Sequence, residues 1–230
     1  MSPEFKTAFK NSVPVMMGYL VLGFAFGLLL SSVGLGWPWA LAMSLLIYAG
    51  ALQFAAVGFF AAKLGLVQVA IASLFINIRQ AFYGLSLLKK FANTGWRKPY
   101  LIHALTDETY ALLTTIPVPD GLDAKRYYLY LSALNHSYWV IGGVAGALVG
   151  GAVQLDTRGV AFSLSALFVV LAIENYKARR QILPFVIGAV AASVAMMTVS
   201  SANMLITAIV LSLVMLFALR SRIEQGESDG

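Results

Sequence analysis

The sequence predicts an all-α integral membrane protein, a polytopic bundle of hydrophobic helices. Hydrophobic residues make up 60% of the 230 residues and charged residues only 11%, whereas about 25% of the residues of an ordinary soluble domain are charged. The apolar residues fall in long runs bounded by proline, glycine or charge, and a helix needs roughly 20 such residues to span a bilayer. The pattern of a membrane β-barrel, alternating segments of about ten residues, is absent. Because lipid offers the backbone no hydrogen-bond partners, the runs are predicted to be helices.

About eight such segments follow one another, at 13–33, 38–62, 66–88, 99–116, 129–153, 159–175, 183–199 and 203–219. The first is longer than the core of a cleaved signal peptide, which has roughly 7–15 residues, and no Ala-x-Ala-like site follows it. It is therefore interpreted as a span. We expect one transmembrane domain over residues 1–230, with short ends at 1–12 and 220–230.

The distribution of lysine and arginine predicts the orientation. The positive-inside rule favours both termini in the cytoplasm. Making the third and fourth segments re-entrant would bring the basic loop between them to the same side. These two segments are also the least apolar, so they are candidates for broken or re-entrant helices, from which many secondary transporters build substrate sites. The net charge of +6 lies in clusters between apolar segments, which favours an anionic lipid surface and not nucleic acid.

Enzyme and metal chemistry find little support. The chain has no cysteine, which excludes disulfides and thiolate metal sites. It has no His-Glu-x-x-His, Gly-x-Ser-x-Gly or P-loop motif. An intramembrane protease with a carboxylate pair would need aspartates on two facing helices, and Asp107 is the only aspartate at bilayer depth. The sequence predicts no catalytic residue, metal or cofactor.

Three ionisable residues fall near the centres of predicted spans: Arg79 in the third segment, and Asp107 and Glu108 in the fourth. A charge at this depth costs about 2.5–3.5 kcal/mol on insertion scales, so a partner or a function must compensate it. We expect Arg79 either to form a buried ion pair with one of these carboxylates or to bind a substrate together with it. One arginine cannot neutralise both carboxylates. His103 lies one helical turn before Asp107, the spacing of a proton relay or of a hydrogen bond between helices.

Three segments each carry one stripe of polar or small residues at helical spacing, against an apolar remainder. The stripes are predicted to face one another around a wet or packed interior. Asn135 and His136 are interpreted as a polar contact between helices or a coupling site, and the glycines as a close helix packing of the GxxxG type. The stripes are Ser73, Asn77, Gln80 and Gly84; His103, Asp107, Tyr110 and Thr114; and Asn135, Tyr138 or Trp139, Gly142 and Gly146.

Four strings give the chain a family resemblance. They are Tyr48-Ala-Gly-Ala-Leu-Gln53-Phe, Asn77-Ile-Arg79-Gln80-Ala-Phe-Tyr83-Gly84, His103-Ala-Leu-Thr-Asp107-Glu108-Thr-Tyr110 and Asn135-His136-Ser-Tyr-Trp139. Together they resemble the AzlC family of branched-chain amino-acid exporters. The resemblance implies a multi-pass protein of the bacterial inner membrane that exports valine, leucine, isoleucine and sometimes methionine. It also implies a second subunit, a small hydrophobic membrane protein of the AzlD type.

A mechanism follows from the resemblance as a hypothesis. Arg79, or backbone N–H groups at a break after Asn77, would hold the substrate carboxylate. Asp107 or Glu108 would hold the ammonium group, and the same carboxylates with His103 are candidates for proton antiport. Further hydrogen bonds to substrate are expected from Tyr48, Gln53, Asn77 and Gln80, and packing or secondary polar contacts from Tyr83, Asn135, His136, Gly142 and Gly146. Facilitated diffusion would need no coupling. The alternative function is a channel or assembly subunit whose buried polar residues are structural.

Overall fold

The computed structural model describes residues 1–153, 169, 172–173, 176, 182–199 and 201–219, and this part of the chain contains helices and no β-strand. The all-α prediction is confirmed there. The sixth predicted segment, 159–175, lies outside the described residues apart from three positions, and so does the end at 220–230. The helices are α1 (Pro3–Ser32), α2 (Trp37–Leu46), α3 (Gly50–Ala61), α4 (Leu66–Leu87), a 3₁₀ turn (Gly95–Arg97), α5 (Lys98–His103), α6 (Asp107–Thr115), α7 (Ala124–Ala152), α8 (Leu183–Thr198) and α9 (Ser201–Ala218).

The chain forms two compact units. Unit 1 comprises Met1–Ala61 and Ile76–Val160, and unit 2 comprises Ala62–Phe75 and Ala161–Gly230. Within unit 2, α8 and α9 pack on each other. Every residue proposed from the sequence as a site residue belongs to unit 1. The single transmembrane domain stays a prediction.

Two described helices, α1 and α4, are long and apolar enough to cross a membrane. Four apolar helices or parts of helices are shorter, at Trp37–Leu46, Gly50–Ala61, Leu183–Thr198 and Ile206–Ala218. Helix α7 is continuous over 29 residues, but polar side chains interrupt its apolar surface. Eight crossings are therefore not confirmed.

Helices α1 and α7 run parallel and pack along their length. Contacts advance in step along both: Tyr19 meets Trp139, Gly27 lies against Gly143 and Ala147, and the hydroxyl of Ser31 lies beside Gly150. The backbones of two helices can come into contact like this only where one helix surface carries almost no side-chain atoms. In lipid, where the hydrophobic effect between helices is absent, such close backbone packing supplies the attraction.

Glycine provides that bare surface. A Cβ atom on Gly142 would lie 2.8 Å from the carbonyl oxygen of Leu20, and one on Gly146 or Gly27 would overlap the facing backbone outright. The prediction that Gly142 and Gly146 form a close helix contact is confirmed. We call this α1–α7 contact the glycine seam.

Helices α2 and α3 form a hairpin that enters unit 1 from the C-terminal end of α1. Helix α2 begins next to that end, and its break at residues 47–49 lies level with the middle of α7, because the Ser44 carbonyl accepts a hydrogen bond from His136. Helix α3 then turns back. Its Phe54 packs edge-on to Phe26, in the last third of α1, with ring centroids 5.9 Å apart. One continuous segment at 38–62 was expected, and this expectation is wrong.

Helices α5 and α6 form a second hairpin, which enters from the opposite end of unit 1. Leu101 of α5 and Leu113 of α6 share a core with Ala8, near the start of α1. Between them, the break at residues 104–106 reaches Tyr19, halfway along α1. Thr106 caps α6 by accepting a hydrogen bond from the Thr109 N–H, which is a standard start to a helix. The expectation of a broken fourth segment is confirmed.

Helix α4 is continuous from Leu66 to Leu87, so the break expected after Asn77 is wrong. The string from Asn77 to Gln80 contains no glycine or proline, the residues that most often break or kink a helix. The charge of Arg79 is compensated by an ion pair and requires no unwinding of the backbone.

Basic residues gather at one end of unit 1. The core that includes Ala8 also contains Phe91, Tyr127 and Leu131, so the start of α1, the loop after α4 and the start of α7 lie together. At the opposite end, the described residues of unit 1 include no lysine or arginine. We call the end with the start of α1 the basic end of unit 1. Its basic residues are Lys6, Lys10, Lys89, Lys90, Arg97, Lys98, Lys125 and Arg126.

The glycine seam can be tested with two glycines of α7. We expect Gly146→Ala to lower the thermal stability of the detergent-solubilised protein, because the added methyl group meets the backbone of Phe24 and overpacking costs about 1–3 kcal/mol. Gly151→Ala is the matched control, since a Cβ there meets nothing within 4 Å and alanine favours helix by up to about 1 kcal/mol. Equal melting temperatures for the two variants would contradict the seam.

Candidate functional site

The two hairpin tips, residues 47–49 and 104–106, meet between the middles of α1 and α7. The ring of Tyr48 stacks on that of His136 with centroids 4.1 Å apart and lies 6.5 Å from the ring of His103. The broken backbone leaves peptide groups at helix ends, where they require partners. Most polar side chains singled out in the sequence lie at or beside this junction.

Arg79, Tyr83 and Asp107 form what we call the ion-pair face. An Arg79 guanidinium nitrogen lies 2.5 Å from one oxygen of Asp107, and the hydroxyl of Tyr83 donates to the other oxygen at 2.7 Å. Both oxygens of the carboxylate are therefore engaged. The side chains of Arg79 and Asp107 are 41% and 40% exposed, so the ion pair expected from the sequence exists, but it is accessible and not buried.

Glu108 points away from its neighbour, as expected for adjacent residues on a helix. Its carboxylate accepts a hydrogen bond of 2.6 Å from the hydroxyl of Tyr19. In the described part of the chain it has no ion-pair partner. The two carboxylates therefore differ in kind: Asp107 is neutralised by a cation, and Glu108 is held by one hydroxyl.

A chain of hydrogen-bonded side chains leads inward from Glu108. Tyr19 lies 2.6 Å from the hydroxyl of Thr106, Thr106 lies 3.0 Å from that of Thr109, and the amide nitrogen of Asn135 lies 3.0 Å from Thr109. All four side chains are buried. We call Tyr19, Thr106, Thr109 and Asn135 the hydroxyl chain.

Two buried oxygens remain without a hydrogen-bond partner at the inner end of this chain. They are the amide oxygen of Asn135 and the hydroxyl of Tyr48, which lies close enough to Thr109 and Tyr19 to interact with both. Turning the Asn135 amide over would only exchange which of its ends is unpaired. Tyr48 also has a positive φ of 41°, which is rare for a bulky residue and is characteristic of functional sites.

The two histidines satisfy carbonyl groups that the first hairpin leaves open. Nε2 of His136 lies 3.0 Å from the Ser44 carbonyl, and Nε2 of His103 lies 2.9 Å from the Leu45 carbonyl. Because a carbonyl only accepts, each Nε2 carries a proton. The helical spacing expected between His103 and Asp107 is wrong, since the break at 104–106 places them on different helices, and a proton relay that uses His103 stays a prediction.

Gln53 lies in the core of unit 1. Its side-chain oxygen accepts a 2.8 Å hydrogen bond from the indole N–H of Trp139, its nitrogen lies 3.5 Å from the hydroxyl of Ser44, and its side chain is 0% exposed. These contacts tie the first hairpin to α7. They give Gln53 a structural role whether or not it also meets a substrate.

The stripe predicted for α4 is only partly the face that contacts α6. The contact is made by Arg79, Tyr83 and Ser86, and the ring of Tyr83 stacks on that of Tyr110 at 4.4 Å. Asn77 and Gln80 lie half-buried and make no hydrogen bond within the described part of the chain.

A cavity of about 270 Å³ opens beside the junction. Leu45, Val140 and Ile141 give it an apolar lining, and Tyr100 and His136 add polar groups. The described residues include no group of three His, Asp or Glu side chains that could hold a metal ion.

The sequence reasoning missed three members of the hydroxyl chain: Tyr19, Thr106 and Thr109. Thr106 followed by two acidic residues is a recognisable helix start, and applying that rule would have found the break together with its capping threonine. Tyr19 gives no such signal, since it is one aromatic residue in a long apolar run.

Comparison with known proteins now identifies the family. A profile described as the AzlC protein matches residues 14–153, which include every junction residue named above. An uncharacterized membrane protein of Helicobacter pylori is 42% identical over 220 residues, 96% of each chain. The chain belongs to the AzlC family. The AzlC family resemblance read from the four strings is thus confirmed.

Two further relatives of this chain are proteins of Bacillus subtilis and Escherichia coli. The branched-chain amino acid transport protein AzlC of Bacillus subtilis is 35% identical over 172 residues, 75% of this chain and 68% of that protein. The inner membrane protein YgaZ of Escherichia coli is 27% identical over 188 residues, 79% of this chain and 77% of that protein. No solved structure matches.

The structural role of Gln53 predicts a coupled pair. Gln53→Leu should lower the melting temperature, because the indole N–H of Trp139 is then buried without an acceptor at a cost of about 1–3 kcal/mol. Trp139→Phe should cost less in the Gln53→Leu background than alone, since no donor is left unpaired. Melting temperatures of the two single variants and the double variant form the measurement. Strictly additive losses would show that the two side chains do not depend on each other.

Proposed function

We propose that this AzlC-family chain is a secondary transporter that exports branched-chain amino acids from the cytoplasm. The observation that carries the proposal is the 35% identity to the Bacillus subtilis branched-chain amino acid transport protein. The matched part of the chain also contains an accessible ion pair on helices of a membrane protein. A charged pair at such a position rarely faces lipid and commonly marks a substrate path.

The ion-pair face suits a zwitterionic substrate. An amino acid carries one carboxylate and one ammonium group, and Arg79 and Asp107 provide the complementary charges side by side. A substrate that enters this pair exchanges one salt bridge for two. Asn77 and Gln80, on the same helix as Arg79 and without hydrogen bonds within the described residues, supply further donors and acceptors.

The expected selectivity among aliphatic side chains is broad. An apolar pocket distinguishes substrates that differ by one methylene group by only about 1–3 kcal/mol. Valine, leucine, isoleucine and methionine would therefore share one site.

Orientation and partner complete the proposal. The basic end of unit 1 would face the cytoplasm under the positive-inside rule, and this places the N-terminus inside in a bacterial inner membrane. A small hydrophobic subunit of the AzlD type would assemble with the chain, as the family resemblance implies. Proton antiport is the economical energy source, because one charge moving through 100 mV supplies about 2.3 kcal/mol.

Efflux of valine and leucine from cells preloaded with dipeptides tests the transport function. We expect faster, saturable efflux when this chain is expressed together with its small partner than in cells without either protein. Expression of each protein alone shows whether the pair is required. Efflux at background level, with both proteins present in the membrane, would overturn the substrate assignment.

The charge of Asp107 provides a second test. Asp107→Asn should abolish saturable efflux while the protein remains in the membrane, because Arg79 loses its counter-charge and the ammonium group its ligand. Asp120→Asn, in an exposed loop, is the matched control and should transport normally. An Asp107→Asn protein that transports normally would contradict the site. One that fails to assemble with its partner would support the structural alternative.

A further inference from the structure

We propose that Glu108, and not Asp107, carries the proton that is exchanged for substrate, and that the hydroxyl chain relays its charge state to the hairpin tips. This inference rests on the proposed transport function and deepens it. It assigns different roles to two adjacent carboxylates that the sequence leaves equivalent.

The contacts of the two carboxylates separate their roles. Asp107 meets the guanidinium of Arg79 at 2.5 Å and the hydroxyl of Tyr83 at 2.7 Å, so protonation there must break an ion pair. Glu108 is exposed and accepts one hydrogen bond, from Tyr19. Protonation of Glu108 breaks no ion pair within the described residues. A group that must gain and lose a proton in each cycle is better served by the second environment.

The hydroxyl chain can reverse its direction. Tyr19 has one hydroxyl proton and lies within hydrogen-bond distance of both Thr106 and Glu108. When that proton goes to an ionised Glu108, Thr106 donates to Tyr19 and Thr109 to Thr106, the reverse of the inward direction from Tyr19 to Thr106 to Thr109 that the structure shows. With Glu108 protonated, its own O–H donates to Tyr19, and each hydroxyl turns to donate inward instead. From Glu108 to Thr109 the heavy atoms stay in place, and no covalent bond changes apart from the O–H bond on Glu108, whose proton comes from the solution on one side and leaves on the other.

The inner end of the chain has acceptors ready for the reversed state. When Thr109 donates inward, it needs an acceptor beyond Thr106. The two buried oxygens without hydrogen bonds, on Asn135 and Tyr48, lie beside Thr109 but outside hydrogen-bond geometry with it. An unpaired buried polar group costs about as much as a lost hydrogen bond, so the reversed state favours turning the Asn135 amide over or moving Tyr48 toward Thr109. The tip residue Tyr48 therefore responds to the charge of Glu108.

Other ionisable groups surround Glu108 on every packed element. Tyr19 faces it from α1, and Tyr48 faces it from the first hairpin tip. Asp107 precedes it on α6 and keeps Arg79 of α4 paired. The tyrosines stay protonated at neutral pH, and the ion pair is internally balanced. Glu108 is thus the carboxylate of this set whose protonation breaks no ion pair within the described residues.

Reconstituted protein, with its small partner if efflux requires it, tests the inference. The measurement is the ratio of valine flux with an imposed pH gradient to valine flux without one. We expect a ratio well above one for the wild type and a ratio of one for Glu108→Gln, which cannot bind the proton. A Glu108→Gln ratio equal to that of the wild type would overturn the inference.

Tyr19→Phe provides a second variant with a graded readout. The Tyr19 hydroxyl donates to the ionised carboxylate, so its removal should move the pH midpoint of gradient-driven flux upward. Tyr83→Phe removes a matching hydroxyl from Asp107 and should leave that midpoint in place, whatever happens to its KM. Equal midpoints for wild type and Tyr19→Phe would argue against the relay.

The melting temperature, measured without substrate, separates the transport proposal from the proposal that Glu108 binds the proton. The pH dependence of the melting temperature should differ between wild type and Glu108→Gln, and the difference should move to higher pH in Tyr19→Phe. If no valine is transported but this difference is present, the substrate assignment fails and proton binding at Glu108 stands. If valine is transported and neither the flux ratio nor the melting profile depends on Glu108, the function stands and this inference fails.

Discussion

The glycine seam between α1 and α7 is the contact on which the rest of unit 1 depends. Two helices whose backbones touch hold their side chains at fixed relative heights, and here Tyr19 of one lies at the height of Asn135 and Trp139 of the other. The hairpin tips enter at that level and meet both helices. Separating the seam by the thickness of one methyl group would move Tyr19 away from its hydrogen-bond partners Thr106 and Glu108. The precision of the polar junction therefore comes from residues without side chains.

Breaking two helices inside the protein creates a demand for hydrogen bonds, and this demand explains many of the polar residues. His103 and His136 satisfy carbonyls at the end of α2, Thr106 satisfies the start of α6, and Gln53 fixes α3 to Trp139. Irregular backbone at membrane depth is tolerated only where such partners exist. The residues left over after this accounting are the better candidates for ligand chemistry. They are the Arg79–Asp107 pair, Glu108, Asn77, Gln80 and the unpaired oxygens.

The difference between residues that satisfy the broken backbone and residues that do not also shows how far the sequence could predict the site. Composition predicts the helices, and the depth of Arg79 and Asp107 predicts their pairing. The break at 47–49 has no comparable signal, because Ile47, Tyr48 and Ala49 continue an apolar run and only tertiary partners stabilise the turn. Helical spacing across 103–107 misleads for the same reason, since the 3.6-residue period holds only while the helix is continuous. Once a break intervenes, His103 and Asp107 no longer share a face.

The opposed hairpins also fit the proposed transport cycle, in which a proton site lies at their tips. Each hairpin fills one end of unit 1, so a ligand at the junction is separated from each side of the molecule by one hairpin and not by a full helix. Alternating access then needs movement of one hairpin at a time against the fixed seam. A switch at the junction must act on both tips to keep them from opening together. Glu108 lies two residues after the second tip, and the hydroxyl chain leads from it to Thr109 and Asn135, beside Tyr48 of the first tip, so in this proposal one proton biases both hairpins.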